Sequence, residues 1–250
     1  MSDGLTIAEI SMLNDMKQLQ SISHNLANVN TAGYKGQLIM TSGFQELLSM
    51  TQGDGQAGSG SSDVVVNLPQ VKTTVDTRSG ALKFTGKPLD VAMAENVFLA
   101  IQSTAGEVYT RQGDLHLDAR GRLVTSSGLE VQGVSGEIRL SSDKPLINKQ
   151  GEIYIDEQLV AQLKLVKFAD RENIKSLGGA LYTASGQAEL VDSDELVFQG
   201  YTEASNVNMT DQMVKMIELN RHFESTQKLV RGYDMMLESA INDVANFEGY

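Results

Sequence analysis

Three histidines, His24, His116 and His222, are the imidazoles available for proton transfer near neutral pH or for metal ligation. They stand in three different stretches, two helix-like and one strand-like, with neither an HExxH nor any other paired spacing, so no metal site is expected from them. The chain contains 0 cysteines, which excludes disulfides, thiolate ligands and cysteine nucleophiles and leaves the redox compartment open. No GxSxG elbow presents a nucleophilic serine. The densest acidic group, Asp192, Asp194 and Glu195, lacks the glycine and the distal glutamate of a calcium loop and fits a solvated turn. A carboxylate pair for glycoside hydrolysis needs a separation of roughly 5 to 10 Å, and no motif singles one out among 32 acidic residues. Gly53, Gly55 and Gly58 have the GxGxxG spacing, but Ser59 to Ser62 and the strand-like Val64 to Val66 follow where a phosphate site requires a helix N-terminus. The expectation is therefore no catalytic, cofactor-binding or metal residue, no cofactor and no small-molecule substrate.

A net charge of -12 without any basic run argues against nucleic acid or an anionic membrane surface as partner, because both select clustered Lys and Arg. No stretch is apolar for long enough to insert in a membrane. The N-terminus is acidic and amphipathic, unlike a cleaved secretory signal, so export by another route is expected. The 11 methionines, several of them in the terminal stripes, suit adaptable packing better than a cofactor box.

With so little chemistry to position, the elements themselves carry the information. Met209, Met213, Met216, Asn220, Phe223, Gln227, Val230, Asp234, Leu237, Ile241 and Val244 follow one another at alternate steps of four and three, a heptad seam. Its polar members Asn220, Gln227 and Asp234 recur every seven residues, with Ile217, Leu219 and Tyr233 widening the apolar face beside them, which suggests a specified partner. Asn208 or Thr210 caps the start and Asp211 complements the helix dipole. A helix from Met209 to Asn246 would be roughly 57 Å long, longer than a compact domain of this size is wide. At the other end Leu5, Ala8, Met12, Met16, Leu19, Ile22, Leu26 and Val29 form a matching stripe. Asn28, Asn30, Thr31 and Gly33 then supply the short polar side chains and the left-handed residue that stop a helix.

Between these ends, Leu38 to Met50 is expected as a short helix or extended arm, and Thr51 to Asp63 is a Gly/Ser-rich loop. From Val71 to Gln199 the periodicity falls to two. Val108 to Thr110, Leu115 to Leu117, Leu129 to Val131, Ile138 to Leu140, Ile153 to Ile155 and Leu163 to Val166 are expected strands, with a reverse turn at Asp118 to Gly121. The fold class is therefore α+β: N- and C-terminal amphipathic helices (1–35 and 205–250) forming a coiled-coil-like stalk, a linker at 36–74, and an inserted antiparallel all-β domain at 75–204.

The order of residues from Asn25 to Lys35, NLANVNTAGYK, resembles the N-terminal signature of the rod, hook and hook-associated proteins, the axial subunits of the bacterial flagellum. GYTEASNVNMTDQMVKMIELNR, from Gly200 to Arg221, resembles the partner signature at the other end. Lys87 to Met93, Glu107 to Gly121 and Leu123 to Gly128 are similar to the β-region of the rod subunits, so the resemblance spans nearly the whole chain. Length and the compact Gly151 to Leu181 region look most like the proximal-rod subunits, with distal-rod and hook-type subunits as the alternative. One departure is Glu95 to Gln102, where the family carries a glycine-rich start before its strand.

This resemblance implies a structural subunit of the basal-body rod, exported through the flagellar type III apparatus and polymerised in the periplasm. Its implied partners are its own copies, the other proximal and distal rod subunits and the export apparatus. Leu5, Met12, Leu19 and Leu26 with Met216, Phe223, Val230 and Leu237 are the expected packing anchors. Asn28, Thr31, Gly33 and Tyr34 would set the bend after the first helix, and Asn206 and Asn208 the entry to the second. An isolated helix gains little from propensity alone, so the two ends should be marginal until packed. The rival expectations are a cell-wall-cutting enzyme, which would need paired carboxylates in the β-domain, and a soluble coiled-coil adaptor.

Overall fold

A computed structural model describes residues 2–41, 71–103, 106–168, 174–184, 188–191 and 196–247. The Gly/Ser-rich loop Thr51 to Asp63 with its glycine triplet, and the acidic Asp192 to Glu195, lie outside the described residues. Among the described residues there are two helices and nineteen strands, and the chain is α+β, with a helix at each end and antiparallel strands between. It divides into two compact units, Met1–Ser23 with Ile39–Thr73 and Thr210–Tyr250, and His24–Leu38 with Thr74–Met209.

The first unit is built on α1 (Ser2–Ala27) and α2 (Met209–Phe247). They run antiparallel: Asp15 meets His222, with Oδ2 2.7 Å from Nδ1, while Leu5 and Ala8 share a groove with Val230 and Tyr233. The covered face of α2 keeps Met216, Phe223 and Val230 of the expected seam and Leu219 and Tyr233 of its expected widening, but it also takes in Thr226, while Ile217 is exposed. The expected polar seam positions Asn220 and Asp234 are exposed and Gln227 is half-buried, so they do not interrupt the packed face. Thr226 accounts for part of this register. Its hydroxyl donates to the His222 carbonyl within the helix (3.0 Å), so a small polar side chain is buried without an unmet hydrogen bond. On α1 the covered face likewise passes through buried Asp15, and Met16 is 56% exposed. Burying a carboxylate requires a partner, and His222 supplies it.

β1 (Gln37–Thr41) pairs with β2 (Val71–Val75), a ladder divided between the two units. The other strands belong to the second unit and form short antiparallel ladders. The principal sheet centres on β5 (Val97–Ser103), flanked on one side by β6 (Gly106–Thr110) and on the other by β14 (Leu165–Phe168) and β9 (Glu130–Gly133). Outward from β6 lie β16 (Leu181–Ala184) and β15 (Ile174–Gly178). Outward from β9 lie β8 (Leu123–Thr125) and β7 (Leu115–Leu117), with β10 (Gly136–Glu137) also on β9 and β17 (Ala188–Leu190) on β14.

β5 begins as the continuous apolar run VFLAI because it is buried on both faces. Val97, Leu99 and Ile101 enter the larger core with Leu123, Ile138, Ile153 and Leu163, whereas Phe98 enters a second, aromatic cluster with Phe168 and Tyr182. The glycine-rich start that β5 lacks is replaced by Asn96, at φ 61°. Asparagine is one of the few side chains that tolerates the left-handed region. The expected strand Ile138 to Leu140 is not formed. Only Arg139 bridges, to Arg122, while Ile138 and Leu140 on either side of it enter the core from irregular backbone. The turn at Asp118 to Gly121 is present: Gly121 has φ 74° and Asp118 Oδ1 accepts the N–H groups of Arg120 and Arg122.

A three-stranded sheet joins β11 (Leu146–Ile147), β12 (Glu152–Ile155) and β13 (Gln158–Gln162). Finally, β4 (Val91–Met93) pairs with β18 (Val197–Gln199), and β3 (Leu82–Phe84) with β19 (Tyr201–Glu203). The last two ladders lead the C-terminal arm past the segment that follows α1.

Candidate functional site

Lys35, Arg111 and Glu203 come from three distant parts of the sequence and are buried together, each side chain at most 2% exposed. Lys35 belongs to the arm that leaves α1, Glu203 ends β19, and Arg111 directly follows β6. Glu203 Oε1 accepts from Lys35 Nζ and from the Gly80 N–H, both at 2.7 Å. Its Oε2 accepts from Arg111 Nε at 2.6 Å, and Arg111 Nη2 stands 2.6 Å from the same oxygen as an ion pair. The rest of the guanidinium fork is used on main chain: Nη1 donates to the carbonyls of Ala94 (3.0 Å) and Val97 (2.7 Å), and Nη2 to that of Met93 (3.1 Å). Arg111 also lies over the Phe98 ring at 5.7 Å. A planar cation with fixed donors is the side chain that suits this many converging acceptors.

Around this triad the two arms are laced by main-chain contacts. The Gly33 N–H donates to the Glu203 carbonyl at 2.8 Å. Asn206 accepts the Gly36 N–H at Oδ1 (2.8 Å) and donates through Nδ2 to the carbonyls of Asp76 and Arg78. The Lys35 N–H donates to the Tyr182 hydroxyl at 2.7 Å. Asn25 pairs with the main chain of Gln37 at both ends of its amide, and its Oδ1 also accepts the Tyr34 hydroxyl at 3.0 Å. Gly33 is required by its surroundings: φ is 66°, and a Cβ there would lie 2.1 Å from the Arg111 carbonyl oxygen. The arrangement holds no nucleophile poised against a base. What it does is fasten both arms to one β-scaffold.

Two family models match the segments that meet here. The one described as flagellar basal body rod FlgEFG protein C-terminal covers residues 199–243, and the flagellar hook protein FlgE/F/G D1 domain covers 92–163. Glu203 falls in the first and Arg111 in the second. The flagellar basal-body rod protein FlgG of Bacillus subtilis (strain 168) is 30% identical over 253 residues, 92% of this chain and 95% of that one. FlgG of Buchnera aphidicola subsp. Acyrthosiphon pisum is 31% identical over 261 residues, 95% and 98% of the two chains. FlgF of Mesorhizobium japonicum is 28% identical over 251 residues, 98% and 99%. The chain belongs to the flagellar basal-body rod protein family. It is a structural protein of the basal body and not an enzyme.

In this rod protein the residues expected from sequence are distributed over both units. Leu5, Met12 and Leu19 lie on α1, and Met216, Phe223, Val230 and Leu237 on α2; Leu5 and Val230 line one groove, and Leu237 is 38% exposed. Leu26, Asn28, Thr31, Gly33 and Tyr34 lie in the second unit. There the Thr31 hydroxyl donates to Asn28 Oδ1, and the Asn206 N–H donates to the Tyr34 carbonyl. Asn208 is exposed immediately before α2. Sequence reasoning missed Lys35, Arg111, Glu203, Asn25 and Tyr182. The signal for two of them was isolation: Glu203 is the single Asp, Glu, Lys or Arg between Glu195 and Asp211, and Lys35 the single one between Lys17 and Glu46.

Burial pushes the Tyr34 phenol up to about 12 from its ordinary 10.0, and burial raises the Tyr182 hydroxyl in the same direction. Folding therefore favours the protonated phenols. The stability they contribute is complete below about pH 10, the value of a free tyrosine, and declines as pH rises from there through the folded values. The urea midpoint of the wild type is expected to fall between pH 10 and pH 12, and Tyr34→Phe to make that fall shallower.

Proposed function

We propose that this chain is a subunit of the proximal rod that polymerises through its terminal helices, with α1 and α2 as its stalk (1–35 and 205–250), the segment 36–74 as linker and the β-domain at 75–204 making lateral contacts. The observation carrying this reading is the apolar surface α2 has left over beyond its covered face. On a 3.6-residue helix, Met213 and Ile217 (45% and 55% exposed) lie on one flank of that face, and Leu229 and Met236 (71% and 68%) on the other, nearer the opposite end. Two unlike apolar surfaces on one element suit heterologous contacts, which build open helical assemblies rather than closed dimers. In this reading the predicted anchor residues pack the stalk and its copies. Export proceeds through the type III apparatus without a cleaved signal, into the periplasmic part of the basal body.

End-to-end collinearity supports the proximal position: the FlgF relative from Mesorhizobium japonicum aligns 98% of this chain within 251 residues, whereas FlgG from Buchnera takes 261 to align 95%. The distal reading draws on identity, 30–31% for FlgG against 27–28% for the FlgF relatives. Complementation decides between them. Swimming is expected to return in a strain lacking its proximal subunit and not in one lacking its distal subunit; the reverse pattern would establish the distal position. Met236→Glu is expected to abolish incorporation into rods and swimming while leaving the melting temperature of the purified protein within a degree or so, because surface changes usually cost less than about 0.5 kcal/mol. Retained swimming would remove α2's outer flank from the assembly contacts.

A further inference from the structure

The Lys35–Arg111–Glu203 cluster contains two cations and one carboxylate, and its members do not depend on one another equally. Glu203 is secured without Lys35: Arg111 holds Oε2 and the Gly80 N–H holds Oε1. The other acceptor of the ammonium, the Arg78 carbonyl (2.7 Å), also has a second donor, Asn206 Nδ2 at 3.0 Å. Removing Lys35 thus orphans no buried acceptor. Removing Glu203 would leave two buried cations facing each other. The remaining charges nearby are Asp76 and Arg78: the Arg78 guanidinium engages Asp76 directly, and Asp76 compensates the Lys35 ammonium only weakly, behind Glu203. The N-terminal arm is otherwise fixed by groups that do not involve the ammonium, namely the N–H groups of Gly33, Lys35 and Gly36.

We propose that Lys35 is a built-in release element: its buried, undercompensated ammonium keeps the strap at residues 24–38 more weakly held on the β-scaffold than the C-terminal arm that carries Glu203. Burial, followed by the neighbouring Arg111 guanidinium, pulls the Lys35 ammonium below the ordinary lysine value despite Glu203 and Asp76, which is the direction an undercompensated charge gives. Removing one partner of a buried ion pair is costly because it strands the other's charge, but here Arg111 keeps Glu203 paired, so Lys35→Met strands no charge and removes only the desolvated ammonium. The strap then opens ahead of global unfolding, as a separate low-stability segment, and the two arms have different thresholds for leaving the same scaffold.

Hydrogen–deuterium exchange on the full-length protein tests this. In Lys35→Met, amides of the strap at 33–37 are expected to exchange about tenfold more slowly than in wild type, the lower part of the range seen when buried ionic groups give way to apolar ones without a charge left unpaired, with amides of β18 and β19 changing much less. Lys35→Arg, which keeps the charge, is expected not to slow the strap. Unchanged or faster strap exchange in Lys35→Met would overturn the proposal, since the ammonium would then be a net fastener. Equal slowing across the strap, β18 and β19 would overturn the strap as a separately opening segment.

Discussion

Glu203→Gln is expected to destabilise the β-unit by about 3–5 kcal/mol, the cost of removing one partner from a buried ion pair, read as a lower urea midpoint with an unchanged slope. The carboxylate accepts from Lys35, Gly80 and Arg111 at 2.6–2.7 Å, and an amide offers a single acceptor oxygen and brings a donor nitrogen into the same space. That nitrogen would face either the ammonium or the guanidinium. Typical total stabilities are about 5–15 kcal/mol, so a large part of the fold is at stake in one atom pair. Swimming should be lost with it. A midpoint within error of wild type would mean that the two cations are already compensated by something other than this carboxylate.

Gly33→Val is expected to cost more than about 4 kcal/mol, in the range reserved for core disruption and backbone strain. Two independent terms add here. A β-branched residue is disfavoured at φ 66°, and its Cβ would overlap the main chain of Arg111 at 2.1 and 2.2 Å and Gln112 N at 2.6 Å. These are backbone atoms, so no side-chain rotation relieves the contact. Gly33→Ala meets the same obstruction and should fail almost as badly, which separates this position from an ordinary turn glycine. Circular dichroism melting of both variants measures it, and a melting temperature near wild type for either would show that the strap can leave Arg111 without loss.

The sequence carried the outline of this molecule well because its outline depends on periodicity and punctuation. The terminal helices were legible as stripes, Met209 was the expected start of the second helix, and Leu115–Leu117 matches β7 residue for residue. The exact packed face was less legible, since a search for apolar steps passes over Asp15 and Thr226, whose burial is permitted only by His222. Ile138 to Leu140 failed for a related reason: alternating apolar residues enter a core equally well from irregular backbone around a single bridge. The clasp itself was hidden because it has no local pattern. Lys35 and Glu203 are 168 positions apart, and only the closure of β6, β18 and β19 around them makes their charges neighbours. Gly33 and Tyr34 were found because a helix stop leaves a local trace, while Arg111, whose role is set by the carbonyls of Met93, Ala94 and Val97, leaves none.

The lacing of the two arms has a mechanical side. The Gly33 N–H to Glu203 carbonyl bond and the Gly36 N–H to Asn206 bond join the chain on its way into the β-scaffold to the chain on its way out. Tension that separates the arms is therefore met first by these bonds and by the ion cluster beside them, while the strands threaded between Lys35 and Glu203 lie outside the shortest load path. A pull would have to shear the clasp before it could unravel a ladder such as β5 with β6. Strands that carry little load are free to lengthen, shorten or change their surface without slackening the connection, so the part of the chain most open to variation is also the part that strain reaches last.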